Sequence, residues 1–221
     1  MSGTAFHGSR RHSTLRHYYC GLMVDSRTDG EFSRPIPSAA QARIISAALE
    51  LFARNGVGGT SLQMIADTIG VTKAAVYHQY NSKDEIVLAA AEAELGQLDS
   101  IIRDAESDTT RLRRRHSLIV GMIDLAVAHR RTVGAILTDP LVTHSFSENE
   151  AFRQVMDRMS RVLFGSAVGH QARVSTAMLT AAISGTVMHP LVAGLDDETL
   201  RSELRRLVTR FLPAMHTAKR S

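Results

Sequence analysis

The residues with the clearest capacity for chemistry are Lys73, Tyr77 and His78, set just behind the turn residue Gly70. A cation, a phenol and an imidazole on one short segment suit the holding of phosphates and the reading of base edges. Bond-making constellations are missing. There is no G-x-S-x-G, H-E-x-x-H, P-loop or G-x-G-x-x-G motif, and no carboxylate pair beside a nucleophile. The lone cysteine, Cys20, excludes an intrachain disulfide and a zinc site built on paired cysteines. No two histidines stand at i and i+4, so a helical metal site has no ligand pair. The expectation is a non-enzymatic chain with no cofactor and no metal.

The segment that must position those three side chains is Thr60–Tyr80, TSLQMIADTIGVTKAAVYHQY. Its logic is that of a helix-turn-helix. Ala66 is small where a second helix must cross closely, and Gly70 supplies the positive φ of the turn. Ile65, Val71 and Val76 form the inner face. Thr72 caps the second helix, whose outward face carries Lys73, Tyr77 and His78. A helix presented this way can enter the major groove.

The rest of the chain reads as all-α. Its 221 residues are 44% apolar and 22% charged, with a net charge of +4, a globular and mildly basic composition. Residues 1–37 read as a disordered or extended tail. Arg10, Arg11 and Arg16 allow it to be a basic arm along DNA. A disordered leader, or an upstream start codon with Met23 as the true start, is the plainer alternative. Ser38 with Gln41, Thr60 with Gln63 and Ser82 with Glu85 have capping-box spacing, and Asn55-Gly56 ends the first helix. Helical stripes continue through Leu118, Met122, Phe152, Met159 and Leu163, with a break at Asp139-Pro140. About nine helices are expected. The stretch between Arg173 and Asp196 has no charge but carries Ser175, Thr176, Thr180, Ser184, Thr186, His189 and Pro190. It reads as a buried helix of a soluble protein, not a membrane span.

Ile44-Ile45-x-x-Ala48-x-x-Leu51-Phe52, Gly56, Thr60-Ser61, Ile65-Ala66, Gly70-Val71-Thr72, Val76-Tyr77-His78-x-Tyr80 and Ser82-Lys83-Asp84-Glu85 together resemble the DNA-binding domain of the TetR family of bacterial transcriptional regulators. Tyr80 stands where that family more often has phenylalanine. The resemblance implies a three-helix helix-turn-helix domain over 38–98 and a helical effector-binding and dimerisation domain over 99–216. It implies a cytoplasmic bacterial homodimer, nucleoid-associated when bound, that reads a palindromic operator in double-stranded DNA. A repressor is the leading expectation. An activator of the same fold is the alternative, with a helical enzyme or protein-binding scaffold behind it. Carried onto matching positions, Thr60 or Ser61 would bond one phosphate and Thr72 another. Lys73, Ala74 and Ala75 would face base edges, Tyr77 and His78 would reach the backbone, and Lys83 would anchor on phosphate. Lys73 can donate to guanine O6 and N7, whereas Ala74 and Ala75 offer only methyl contact, for example to thymine.

A regulator needs an input. Met122, Met156, Met159, Met178 and Met188 offer an adaptable apolar lining for a small, largely apolar effector. His129, His144, Asp139 and His189 are the polar candidates beside it, with ordinary core packing the plainer alternative. Ala177, Ala181 and Gly185 are spaced by four and form a small-residue face. With Leu204 and Val208 of the last helix, it reads as half of a dimer interface. The run Arg111, Arg113, Arg114 and Arg115 reads as a solvated or anion-contacting face.

Overall fold

The structure is a computed structural model that describes residues 37–165 and 169–214, with side chains through Val208. The basic arm, Met23 and Cys20 lie outside the described residues. Ten α-helices follow in order: α1 (Ala39–Asn55), α2 (Leu62–Ile69), α3 (Lys73–Gln79), α4 (Lys83–Ser107), α5 (Arg111–Ala128), α6 (Arg130–Leu137), α7 (Pro140–Glu148), α8 (Glu150–Phe164), α9 (His170–Met188) and α10 (Asp197–Ala214). A 3-10 turn, Pro190–Val192, joins α9 to α10. No strand occurs among the described residues.

Local chemistry sets the first boundaries. The Ser38 hydroxyl accepts from the Gln41 amide, and the Gln41 side chain accepts from the Ser38 amide, completing a capping box. Gly56 ends α1 at φ 72°, and Gly70 makes the turn after α2 in the left-handed region at φ 70°. Two expected capping boxes do not close. Ser61, not Thr60, caps α2, its hydroxyl accepting from Met64 N at 3.2 Å. Thr60 is buried and donates its hydroxyl to the Gly56 carbonyl at 2.9 Å, while Gln63 reaches forward to Asp67. At α4 the Ser82 hydroxyl does accept from Glu85 N. The Glu85 carboxylate reaches one residue further back, to the Asn81 amide at 2.9 Å.

Two apolar cores result. The first collects Ile44, Ile45, Ala48 and Phe52 of α1, Ile65 and Ala66 of α2, Val76 of α3, and Ile86, Val87, Ala90 and Ala91 of α4. Ile136 of α6 and Val142 of α7 return to complete it. The second begins on α4 at Leu95 and Ile102. It takes in Leu118, Met122 and Ile123 of α5, Met159 and Leu163 of α8, Leu179 and Ile183 of α9, and Leu200 and Leu204 of α10. One 25-residue helix, α4, therefore serves both cores, and the changeover falls between Ala91 and Leu95. Phe146 of α7 stacks on Phe152 of α8 at 4.8 Å between ring centroids, pinning these consecutive helices together.

Charged groups fasten the second core at its edge. Asp99 on α4 is 2% exposed and accepts from Arg158 of α8 at 2.6 Å. Arg158 also donates to Glu106 at 2.5 Å, and Arg103 lies 3.3 Å from the other Asp99 oxygen. Arg201 and Arg205 of α10 both pair with Asp124 of α5. The arginine run at the start of α5 is partly spent on helix ends: Arg111 donates to the Phe164 carbonyl and Arg114 to that of Asp108.

No described helix is long and apolar enough to cross a membrane. Helix α9, which is uncharged beyond Arg173, is not the wholly buried helix that the sequence suggested. Ala172, Thr176, Leu179, Ile183 and Val187 face the core, while Val174 and Met178 stand 57% and 61% exposed. Its hydroxyls bond back to carbonyls of the preceding turn, as Thr176 does to Ala172 and Ser184 to Thr180. The lack of charge after Arg173 thus reflects two apolar faces of different use.

Candidate nucleic-acid interface

Helix α3 has seven residues, too few to persist alone. It is held by α2 and by one side chain of its own, Val76, which is fully buried against Ile65 and Ala66 in the first core. Thr72 caps it, the hydroxyl accepting from Ala75 N at 3.1 Å. With Val76 turned inward, the opposite face must turn out. Thr72, Lys73, Ala74, Ala75, Tyr77 and His78 are all exposed. Tyr80, just past the helix, turns back into the core at 9% exposure.

The exposed face has internal order. The Lys73 ammonium lies over the Tyr77 ring, 5.6 Å from its centroid, the i,i+4 neighbour relation of a helix. The Gln79 amide meets the His78 imidazole at 3.3 Å. Arg43 of α1 donates to the Ile69 carbonyl at 2.8 Å, tying α1 to the turn. Nothing local in the sequence marks Arg43 for this role, since the turn lies 26 residues away.

The other expected DNA-facing residues divide. Ser61 is exposed at the start of α2. Thr60 is corrected: it is 3% exposed with its hydroxyl engaged, so it has no open surface for a phosphate. Lys83 donates to the Val57 carbonyl at 3.0 Å in a part-buried setting. That bond ties the start of α4 to the α1–α2 loop and leaves two ammonium protons for other acceptors.

The expected effector lining is also only partly assembled. Met122 and Met159 are buried in the second core, and Met156 and Met188 pack on it. Met178 is corrected: it is on the outer face of α9 and cannot line an interior pocket. Helical spacing does not tell a methionine's face when its helix is apolar on both sides. The His129 ring meets Glu94 at 2.9 Å, joining the end of α5 to α4. Asp139 caps α7 through Leu141 N, His189 accepts from Leu191 N, and His144 is exposed. A crevice of about 350 Å³ opens between α4 and α5, where Asp104, Asp108 and Asp124 surround Ile101 and Val120; none of the expected lining residues borders it. Among the described residues no group of three or more metal-ligating side chains forms.

On the last two helices, Ala177, Ala181 and Gly185 are exposed, as an interface face requires. Leu204 and Val208 are corrected. At 5% and 8% exposure they fill the chain's own second core, and Leu207, 40% exposed, is the apolar side chain that faces out among the described side chains of α10.

The model of the bacterial regulatory proteins of the tetR family matches residues 44–90, from α1 into α4. The uncharacterised HTH-type transcriptional regulator YerO of Bacillus subtilis is 35% identical over 66 residues, covering 30% of this chain and 23% of the relative. The HTH-type transcriptional regulator TtgR of Pseudomonas putida is 38% identical over 68 residues, covering 31% and 32%. The chain thus spans a quarter to a third of the length of these relatives. Solved structures share the wider fold. The ketosteroid transcriptional regulator KstR2 of Mycobacterium tuberculosis superposes with a TM-score of 0.58 at 19% identity, over 85% of this chain and 98% of that one. FadR of Bacillus subtilis, solved with stearoyl-CoA, superposes with a TM-score of 0.61 at 19% identity, over 75% and 96%. Residues 44–90 of this chain, its helix-turn-helix segment, thus match the model of the tetR family of bacterial regulatory proteins.

Proposed function

We propose that this chain is a dimeric, ligand-responsive transcriptional regulator that reads a palindromic operator with α3, and that it acts as a repressor released by a small effector. The observation that carries the reading is the presentation of α3. A single buried valine fixes it, and the face opposite is a continuous exposed strip of Lys73, Ala74, Tyr77 and His78. Such a strip fits a major groove, with Lys73 and the alanine methyls at base edges. The Tyr77 and Thr72 hydroxyls and Ser61 serve the phosphates.

Dimerisation is supported by the outer face of α9. Val174, Ala177, Met178, Ala181 and Gly185 leave an apolar, low-relief surface without a partner among the described residues. A Cβ added at Gly185 would meet nothing within 4 Å among the described residues. Gly185→Leu should therefore weaken the dimer without disturbing the protomer; an unchanged mass at low concentration would remove this part of the reading. The effector side rests on the methionine-rich second core, and FadR, of like fold, was solved with stearoyl-CoA. We take residues 38–98 and 99–216 as the two working units, with α6 and α7 docked back on the first.

The test is selection from random duplex DNA, with wild type and Lys73→Ala/Tyr77→Phe in parallel. A palindromic consensus enriched by wild type alone supports the reading. No enrichment by folded, dimeric wild type overturns it.

A further inference from the structure

We propose that the ring of Tyr77 is a positioning platform for Lys73, so that Tyr77 sets base specificity as well as touching the DNA backbone. This rests on the DNA-reading role of α3. Lysine is a flexible point charge on a four-carbon stem with three rotatable donors. Left free, it contacts phosphate or any acceptor edge and specifies little. Here its ammonium is held 5.6 Å from the Tyr77 centroid, within the range of cation–π attraction. The backbone that carries the platform is fixed. Tyr77 follows the buried Val76 on a helix capped by Thr72, and it remains 45% exposed.

The neighbours make this placement matter. Ala74 and Ala75 have no donor or acceptor in the side chain, so Lys73 is the lone hydrogen-bonding side chain between Thr72 and Tyr77. Discrimination among base pairs at the centre of each half-site then depends on where one ammonium points. The ring and the hydroxyl of Tyr77 therefore serve separable ends. The ring aims Lys73 at a guanine edge, and the hydroxyl adds sequence-independent affinity.

Selection and binding on the full chain separate them through two single variants. Tyr77→Phe keeps the platform and removes the hydroxyl; it should weaken binding to all duplexes about equally while keeping the base preference. Tyr77→Leu removes both. It should reduce the guanine preference, about 10-fold or more in a good contact, by roughly 2- to 5-fold. Lys73→Ala should abolish that preference altogether. A Tyr77→Leu preference equal to or sharper than that of Tyr77→Phe would overturn the proposal. So would a consensus in which Lys73→Ala changes no position. If wild type itself selects no sequence, the DNA-reading role fails instead, and the two failures are told apart by that first control.

Discussion

Val76→Ala is the sharpest way to ask whether one side chain holds the reading helix. Val76 is fully buried, and it is the single buried residue of α3. Replacing it with alanine removes two buried carbons, worth about 0.8 kcal/mol each, and leaves a void that the short helix can only partly close. The total comes to about 2–2.5 kcal/mol. Scanning calorimetry converts this into a temperature. If the first core melts as a unit of about 60 residues, the transition should fall by roughly 10–15 °C. If both cores melt together as about 180 residues, the fall should be roughly 5–8 °C. Hydrogen exchange should show α3 amides losing protection before those of α1. Affinity for the selected operator should drop in step, because an undocked α3 cannot enter a groove. A transition within about 2 °C of wild type, a shift too small for the worked loss, with operator affinity intact, would refute the claim that Val76 is the anchor.

Arg158→Met should cost about 3 kcal/mol by urea denaturation, since it leaves buried Asp99 with only the more distant Arg103. Arg158→Met/Asp99→Asn should recover most of that loss, and a double variant that loses the sum of both single effects would show the groups to be independent. Met178→Arg puts a charge at the middle of the exposed α9 face; sedimentation at low micromolar concentration should find a monomer with unchanged helicity. Asp196 caps α10 through the Thr199 amide and hydroxyl, which hold its carboxyl below the ordinary aspartate range. A depressed folded-state pKa stabilises above the unfolded value and is lost as pH falls through the folded one. The thermal difference between wild type and Asp196→Ala should therefore be present at pH 7 and fade on acidification; a difference that grows in acid would contradict the capping role.

Much of the first core was legible because its signals are local. A cap and its target amide are three residues apart, as at Ser38, Thr72 and Ser82, and a turn glycine acts on its own φ. The readings that failed needed information from outside the window. Thr60 and Ser61 are adjacent hydroxyls with similar capping propensity. Burial of Thr60 against Gly56 decides between them, and burial is a tertiary fact. Leu204, Leu207 and Val208 all fit one broad apolar stripe, but α5 covers only part of it. Met178 and Met159 have the same side chain and opposite exposure. The Arg158–Asp99 and Lys83–Val57 contacts join residues 59 and 26 positions apart, beyond any periodicity argument. The exposed strip of α3 was legible because Val76 alone, within a seven-residue helix, dictates which way the rest must face.

The shared helix α4 has a mechanical corollary. The part that carries the reading head, Lys83 to Glu94, rises about 17 Å, and it continues without a break into the second core. A rigid rod gripped at both ends behaves as a lever, with its pivot near the changeover at Ala91–Leu95. A tilt of about 10° there carries the far tip some 3 Å sideways. Two protomers leaning oppositely would change the separation of their reading heads by about 6 Å, against a groove repeat of about 34 Å. Hydrogen bonds to base edges tolerate only a fraction of that displacement. For a dimer of the proposed kind, a repacking of a few side chains around Leu95 and Ile102 that α6 and α7 follow would be enough to put two reading heads out of register with one duplex.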